Sequence, residues 1–142
     1  CEVQGPADRG PYAVAPAVME AAGTGAFRPD PELDAKLTWD ELRVLDGLPG
    51  CTVGGHSHTH RILSHLPPDE LAADLDRSFA LLDAALGRRV RHYSYPEGLA
   101  HCYSDAVIAA LRERGVVCSP TAEPGVNHVG DDLFRLRRVE VA

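Results

Sequence analysis

The strongest constraint on the fold is one long amphipathic segment in the middle of the chain. It opens at Pro67-Pro68-Asp69-Glu70, and proline and acidic residues favour the first turn of a helix. It closes at Gly87, a residue typical of helix ends. Between these ends, apolar residues recur at steps of three and four: Leu71, Leu75, Phe79, Leu82 and Leu86. This spacing predicts a helix that buries one face against other elements.

Shorter helices and strands alternate around this segment. Thr38 and Glu41 form a capping-box pattern that predicts a helix from Trp39 to about Asp46, and Ser104 is placed to cap a third helix. Apolar stretches predict strands at 51–54, 90–95, 116–118 and 134–141. Such alternation is typical of an α/β fold with parallel strands.

Length and composition place the chain among ordinary globular domains. Its 142 residues suffice for one domain with a core, with residues 1–37 as a loop-rich lead-in that carries a short helix at 16–22. The net charge of −7 argues against a nucleic-acid partner, because phosphate binding requires a basic face. No apolar run approaches the roughly 18 residues of a membrane span.

Three histidines follow a glycine pair directly after the strand predicted at 51–54. On a helical turn His56 and His60 would share a face, whereas on an extended chain His58 would join them. The glycine pair allows a sharp turn at a strand end, where parallel α/β folds place their sites. The spacing therefore predicts a metal site, with a solvated histidine-rich loop as the alternative.

The segment 56–60 fits the His-(Ser/Thr)-x-x-His motif and so resembles the polysaccharide deacetylases, the NodB-homology domain of carbohydrate esterase family four. Further segments resemble other blocks of that family in the same order. They lie at 37–42, 61–66, 92–98, 121–127 and 134–138, so the resemblance runs from about residue 37 to residue 141, and 38–142 is taken as the matching region.

The resemblance implies an irregular (β/α) barrel that removes N-acetyl groups from a carbohydrate with zinc or another divalent metal. His56 and His60 would be the metal ligands and Ser57 would support their loop, while His58 falls on a variable position. Tyr95, Pro96 and Glu97 would line the oxyanion and substrate groove. There the backbone N–H of Glu97 would help to bind the oxyanion.

The chain also departs from the family pattern. The motif Thr-Phe-Asp-Asp-Gly, which supplies the aspartate ligand and the general base, has no match. Ser94 and Glu97 stand where the family's Arg-x-Pro-Tyr motif has arginine and tyrosine. The late Leu-x-His motif of the proton donor is missing too, which leaves His101 and His128 as loop candidates. The catalytic base and acid are therefore unassigned.

These departures predict an incomplete barrel that lacks its first strands. The metal would be weakly held, because a catalytic zinc site uses three protein ligands. The candidates for the third ligand are Asp30, Asp34 and Asp40. An uncovered strand edge would favour self-association. Since the family is often exported, an exported or cell-envelope location is favoured. The alternative is a catalytically inactive remnant that binds a glycan or a protein partner.

Overall fold

The computed structural model describes residues 36–139. Within them the chain forms helix α1 at Trp39–Asp46, a 3-10 turn at Leu63–His65, helix α2 at Pro68–Leu86, helix α3 at Asp105–Glu113, and strands β1 at Pro120–Pro124 and β2 at Leu136–Arg138. Trp39–Ala142 makes up one compact unit. The loop-rich lead-in, apart from its last two residues, and its helix at 16–22 lie outside the described residues.

All three helices predicted within the described part are confirmed. Helix α2 begins with proline in its first turn and ends at Gly87, which is left-handed with φ 66° and donates its N–H to the carbonyl of Asp83 at 2.9 Å. Helix α3 begins at Ser104, whose hydroxyl accepts from the backbone N–H of Val107 at 3.3 Å.

The strand predictions need correction. Residues 51–54 are not a buried strand, because Cys51 and Thr52 are exposed and only the following Gly55 forms a bridge. The strand predicted at 90–95 is reduced to two parallel bridges, from Tyr93 to Gly55 and from His92 to Cys118. The strand predicted at 116–118 is reduced to the second of these bridges, at Cys118. Of the strand predicted at 134–141, the described residues form only β2, and residues 140 and 141 lie outside them.

Strand β1 was missed, because Pro120 and Pro124 at its ends suggest a loop. Pairing with β2 overrides that local signal. The two strands run parallel, with Pro120 opposite Leu136 and Pro124 opposite Arg138, so the register is irregular between these points. Five residues of β1 span only three of β2, which is the signature of a bulge.

The paired segments form one row held by backbone hydrogen bonds. The N–H of Gly55 donates to His92 at 2.8 Å, that of Tyr93 to Cys118 at 3.2 Å, and that of Ser119 to Leu133 at 2.8 Å. The bridges and the β1–β2 pair are parallel, so the predicted α/β class is confirmed.

The core lies between this row and helices α2 and α3. Helix α2 contributes the fully buried Leu75 to this core, and helix α3 contributes the fully buried Leu111. The paired segments contribute Val90 and Tyr93. Helix α2 buries the predicted face, with Leu82 and Leu86 partly buried at its C-terminal end. No helix in the described residues is long and apolar enough to cross a membrane.

Candidate metal centre

The glycine pair before the histidines is required by close packing. A Cβ on Gly54 would lie 3.0 Å from the carbonyl oxygen of His92, and one on Gly55 would lie 2.8 Å from the ring of Tyr93. Neither glycine has a positive φ, and the chain bends at residues 58 and 59 instead, so the predicted sharp turn does not occur at the pair. The pair instead lets the chain press against the 92–94 segment just before the histidines begin.

His56 and His60 come together. Their ring centroids are 4.8 Å apart, and the rings meet edge to face at 68°. Two imidazoles bound to one tetrahedral zinc at roughly 2.0–2.1 Å place their ring centres about 5 Å apart. The separation therefore suits a single shared ion.

The tautomer of His56 is set by its neighbour. Its Nδ1 lies 2.8 Å from the carbonyl oxygen of Ser94, which can only accept, so Nδ1 carries the proton and Nε2 keeps a free lone pair. Burial lowers the pKa of His56, and the nearby charges of His60 and Arg138 lower it further, against the opposing effect of the Ser94 bond. A neutral imidazole with a free Nε2 is the form that binds a metal.

The loop between the two histidines has an unusual backbone. Ser57 and His60 have φ values of 68° and 56°, and Glu97 has a φ of 59°. They are the only non-glycine residues with positive φ within residues 36–139, and all three were candidate site residues on sequence grounds. Such conformations cost about 1–3 kcal/mol each and persist only where the surroundings enforce them.

Asp74 on helix α2 accepts four hydrogen bonds from this loop, a role for Asp74 that sequence reasoning missed. The residue is only 7% exposed. Its Oδ1 accepts from the Ser57 hydroxyl at 2.7 Å and from the His58 N–H at 3.0 Å. Its Oδ2 accepts from the Thr59 N–H at 3.0 Å and from the Thr59 hydroxyl at 2.6 Å. The available signal was an acidic residue on the apolar helix face, three residues after Leu71.

Ser57 lies between Asp74 and the second histidine. While its hydroxyl donates to Asp74, its oxygen accepts from the backbone N–H groups of Thr59 at 3.2 Å and His60 at 3.0 Å. This is the geometry that a loop-supporting serine requires. His58 contributes its backbone N–H to Asp74.

Burial by itself would raise the pKa of Asp74, but the hydrogen bonds from Thr59, His58 and Ser57 outweigh it and lower the pKa. The carboxylate is therefore ionised at neutral pH.

The predicted groove residues 95–97 follow the segment that holds His56. Tyr95 and Pro96 are buried, and the Tyr95 hydroxyl donates to the carbonyl of Phe134 at 2.9 Å. Burial raises the pKa of Tyr95 to about 12. Glu97 is exposed, and its backbone N–H donates to no acceptor within the described residues.

Arg138 reaches the same segment from β2. Its guanidinium donates to the hydroxyl of Ser94 at 2.8 Å, so a cation stands beside the position where the family motif has arginine. The neighbouring Arg135 instead pairs with Asp105 and Asp132.

Within residues 36–139 no third ligand joins the pair. Among residues 36–139 no group of three or more histidine, cysteine or acidic side chains could hold an ion. Asp40 pairs with Arg43 on α1 and is exposed, and Asp30 and Asp34 lie outside the described range. His101 lies beside His65, with ring centroids 6.3 Å apart, and His128 is 3.9 Å from Asp131.

Comparison with known proteins shows the family. Residues 30–119 match the family model described as polysaccharide deacetylase, which covers more than half of the chain. The chain therefore belongs to the polysaccharide deacetylase family. A search of curated proteins finds no match.

Solved structures share the fold. Deacetylase PplD from Streptococcus pyogenes superposes with a TM-score of 0.66 at 20% identity, over 87% of this chain and 49% of that one. For IcaB from Ammonifex degensii the TM-score is 0.61 at 26% identity, over 75% of this chain and 49% of that one. For the BpsB deacetylase domain from Bordetella bronchiseptica the TM-score is 0.65 at 20% identity, over 90% of this chain and 65% of that one. The chain thus spans about half to two thirds of these proteins.

We expect the contribution of Asp74 to stability to depend on pH. Its pKa is lower in the folded protein than the value of about 3.9 in an unfolded chain, so its contribution is complete above that value and is lost as pH falls through the folded-state pKa. Asp74→Asn should lower the free energy of unfolding by roughly 2–4 kcal/mol at neutral pH. The difference from wild type, measured by urea denaturation, should shrink below about pH 4.

Asp76→Asn is the matched control, since Asp76 lies on the same helix with its side chain 67% exposed. A difference for Asp74→Asn that stays constant from neutral pH down to acid would contradict an ionised, hydrogen-bonded carboxylate.

Proposed function

We propose that this protein is a metal-dependent hydrolase that removes N-acetyl groups from a carbohydrate. Family membership supports the reaction class. The observation that carries the metal dependence is the pairing of His56 and His60 at 4.8 Å between ring centroids, with the Nε2 of His56 left free by its bond to Ser94.

In this proposal His56 and His60 hold zinc or another divalent ion. Such an ion supplies Lewis acidity toward an amide carbonyl and a bound water. The donor set fits two of the three protein ligands of a catalytic zinc site, and a carboxylate from beyond the described residues would complete it. With the two histidines alone the ion would be weakly held.

The substrate groove is proposed to run past the 95–97 segment. The left-handed backbone of Glu97 leaves its N–H without an acceptor in the described part of the chain, available to an oxygen that gains negative charge. The buried Tyr95 and Pro96 hold that N–H in place from one side. This role uses the backbone, so it tolerates glutamate where the motif has tyrosine.

The wider architecture is proposed to be a (β/α) barrel of which the described residues 36–139 form a part. Within the described residues, the segment at 51–55 is hydrogen-bonded to a paired segment on one side only, through Gly55. The general base and general acid have no assigned residue.

The one-sided pairing at 51–55 also predicts self-association. An uncovered edge offers unpaired backbone groups to a second copy. Sedimentation velocity at rising protein concentration should show a growing fraction of dimer or larger species. A single monomeric boundary across a hundredfold concentration range would count against this prediction.

Replacement of either ligand tests the metal centre directly. His56→Ala and His60→Ala should each lower zinc affinity at least about 100-fold, because one imidazole alone is a poor ligand set. Both should also abolish acetate release from N-acetylated oligosaccharides. His58→Ala is the matched control and should keep both properties. Retention of zinc affinity in both ligand variants would rule out this site.

A second candidate is a remnant that binds a glycan or a partner without hydrolysing it. The absence of a third ligand in residues 36–139, together with Ser94 and Glu97 in place of the motif residues, favours it. It predicts no acetate release from chitooligosaccharides or peptidoglycan fragments, with or without added zinc, while glycan binding persists. Zinc-dependent release that a chelator stops would exclude it.

A further inference from the structure

We propose that Asp74 is a positioning residue of the metal centre, whose carboxylate sets the loop 57–59 so that His56 and His60 meet on one ion. The inference rests on the proposed metal site and deepens it, because it names a residue that controls metal affinity without touching the metal.

The geometry of the carboxylate supports a positioning role. Its four bonds come from three consecutive residues, 57–59, which are the whole connection between the two histidines. Asp74 itself is immobilised, since it is buried within α2 between Leu71 and Leu75, which pack in the core. The loop is thus fixed to a helix whose apolar face packs in the core.

The effect reaches His60 through Ser57. Because the Ser57 hydroxyl gives its only proton to Asp74, its oxygen is left to accept from the backbone N–H of His60 at 3.0 Å. That bond holds His60 at its left-handed φ of 56°. Without the carboxylate, the hydroxyl could rotate to another acceptor and His60 would lose its constraint.

The partners of Asp74 also explain why only a carboxylate fits. All four are donors, two on Oδ1 and two on Oδ2. In Asp74→Asn the amide oxygen can serve one pair, but the NH₂ group then faces the backbone N–H of the other pair, which can only donate. Because the change in shape is minimal, this variant tests the hydrogen-bond pattern with little loss of packing.

The test is zinc affinity by chelator competition, together with the visible absorption spectrum of the cobalt-substituted protein. We expect Asp74→Asn to weaken zinc binding about 10- to 100-fold, the usual effect of a lost residue behind a metal ligand, and to alter the cobalt spectrum. Asp76→Asn removes the same charge from the exposed side of α2 and should change neither.

Thermal melting separates positioning from folding. If Asp74→Asn melts below the assay temperature, Thr59→Val replaces it, because this change removes one of the four donors and should lower zinc affinity severalfold. Unchanged zinc affinity and cobalt spectrum in the folded variant would overturn the proposal, even if the melting temperature falls. If His56→Ala also leaves zinc binding intact, the metal site itself is wrong; if it abolishes binding, only the role of Asp74 is lost.

Discussion

The hydrogen bonds between Asp74 and the loop at 57–59 are the interaction on which the candidate site depends. A chain that turns back within five residues to bring two histidines together adopts left-handed backbone at Ser57 and His60. Neither is glycine, so this conformation is unfavourable by itself. The buried carboxylate offsets that cost, and it can do so because α2 is held in place by the burial of its apolar face.

The two histidines are held by different parts of the fold. His56 is oriented by the carbonyl of Ser94, which belongs to the neighbouring paired segment 38 residues further along the chain. His60 is held through Ser57 from a helix. Their separation therefore depends on how α2 packs against the row of parallel segments, and a change in that packing would alter the site without touching a ligand.

The positions that depart from the family motif keep defined structural roles. The carbonyl of Ser94 accepts a hydrogen bond from His56, and its hydroxyl accepts one from Arg138 of β2. The backbone of Ser94 thus orients His56, while its side chain contacts a cation. Glu97 has left-handed backbone, and its N–H donates to no acceptor within residues 36–139.

The sequence by itself determined the three helices, because apolar spacing, capping residues and Gly87 act within a few residues of one another. It also determined the spacing of His56 and His60 and the family resemblance built around it. Only the tertiary structure decided the strands, since a short parallel strand such as β1 exists through its partner, against the local signal of its prolines. It likewise decided the role of Asp74, whose partners lie 15 to 17 residues away, and the link from Arg138 to Ser94, which spans 44 residues. Hydrogen bonds at such distances along the chain leave no periodic trace in the sequence, because they form only after the helices and segments have packed.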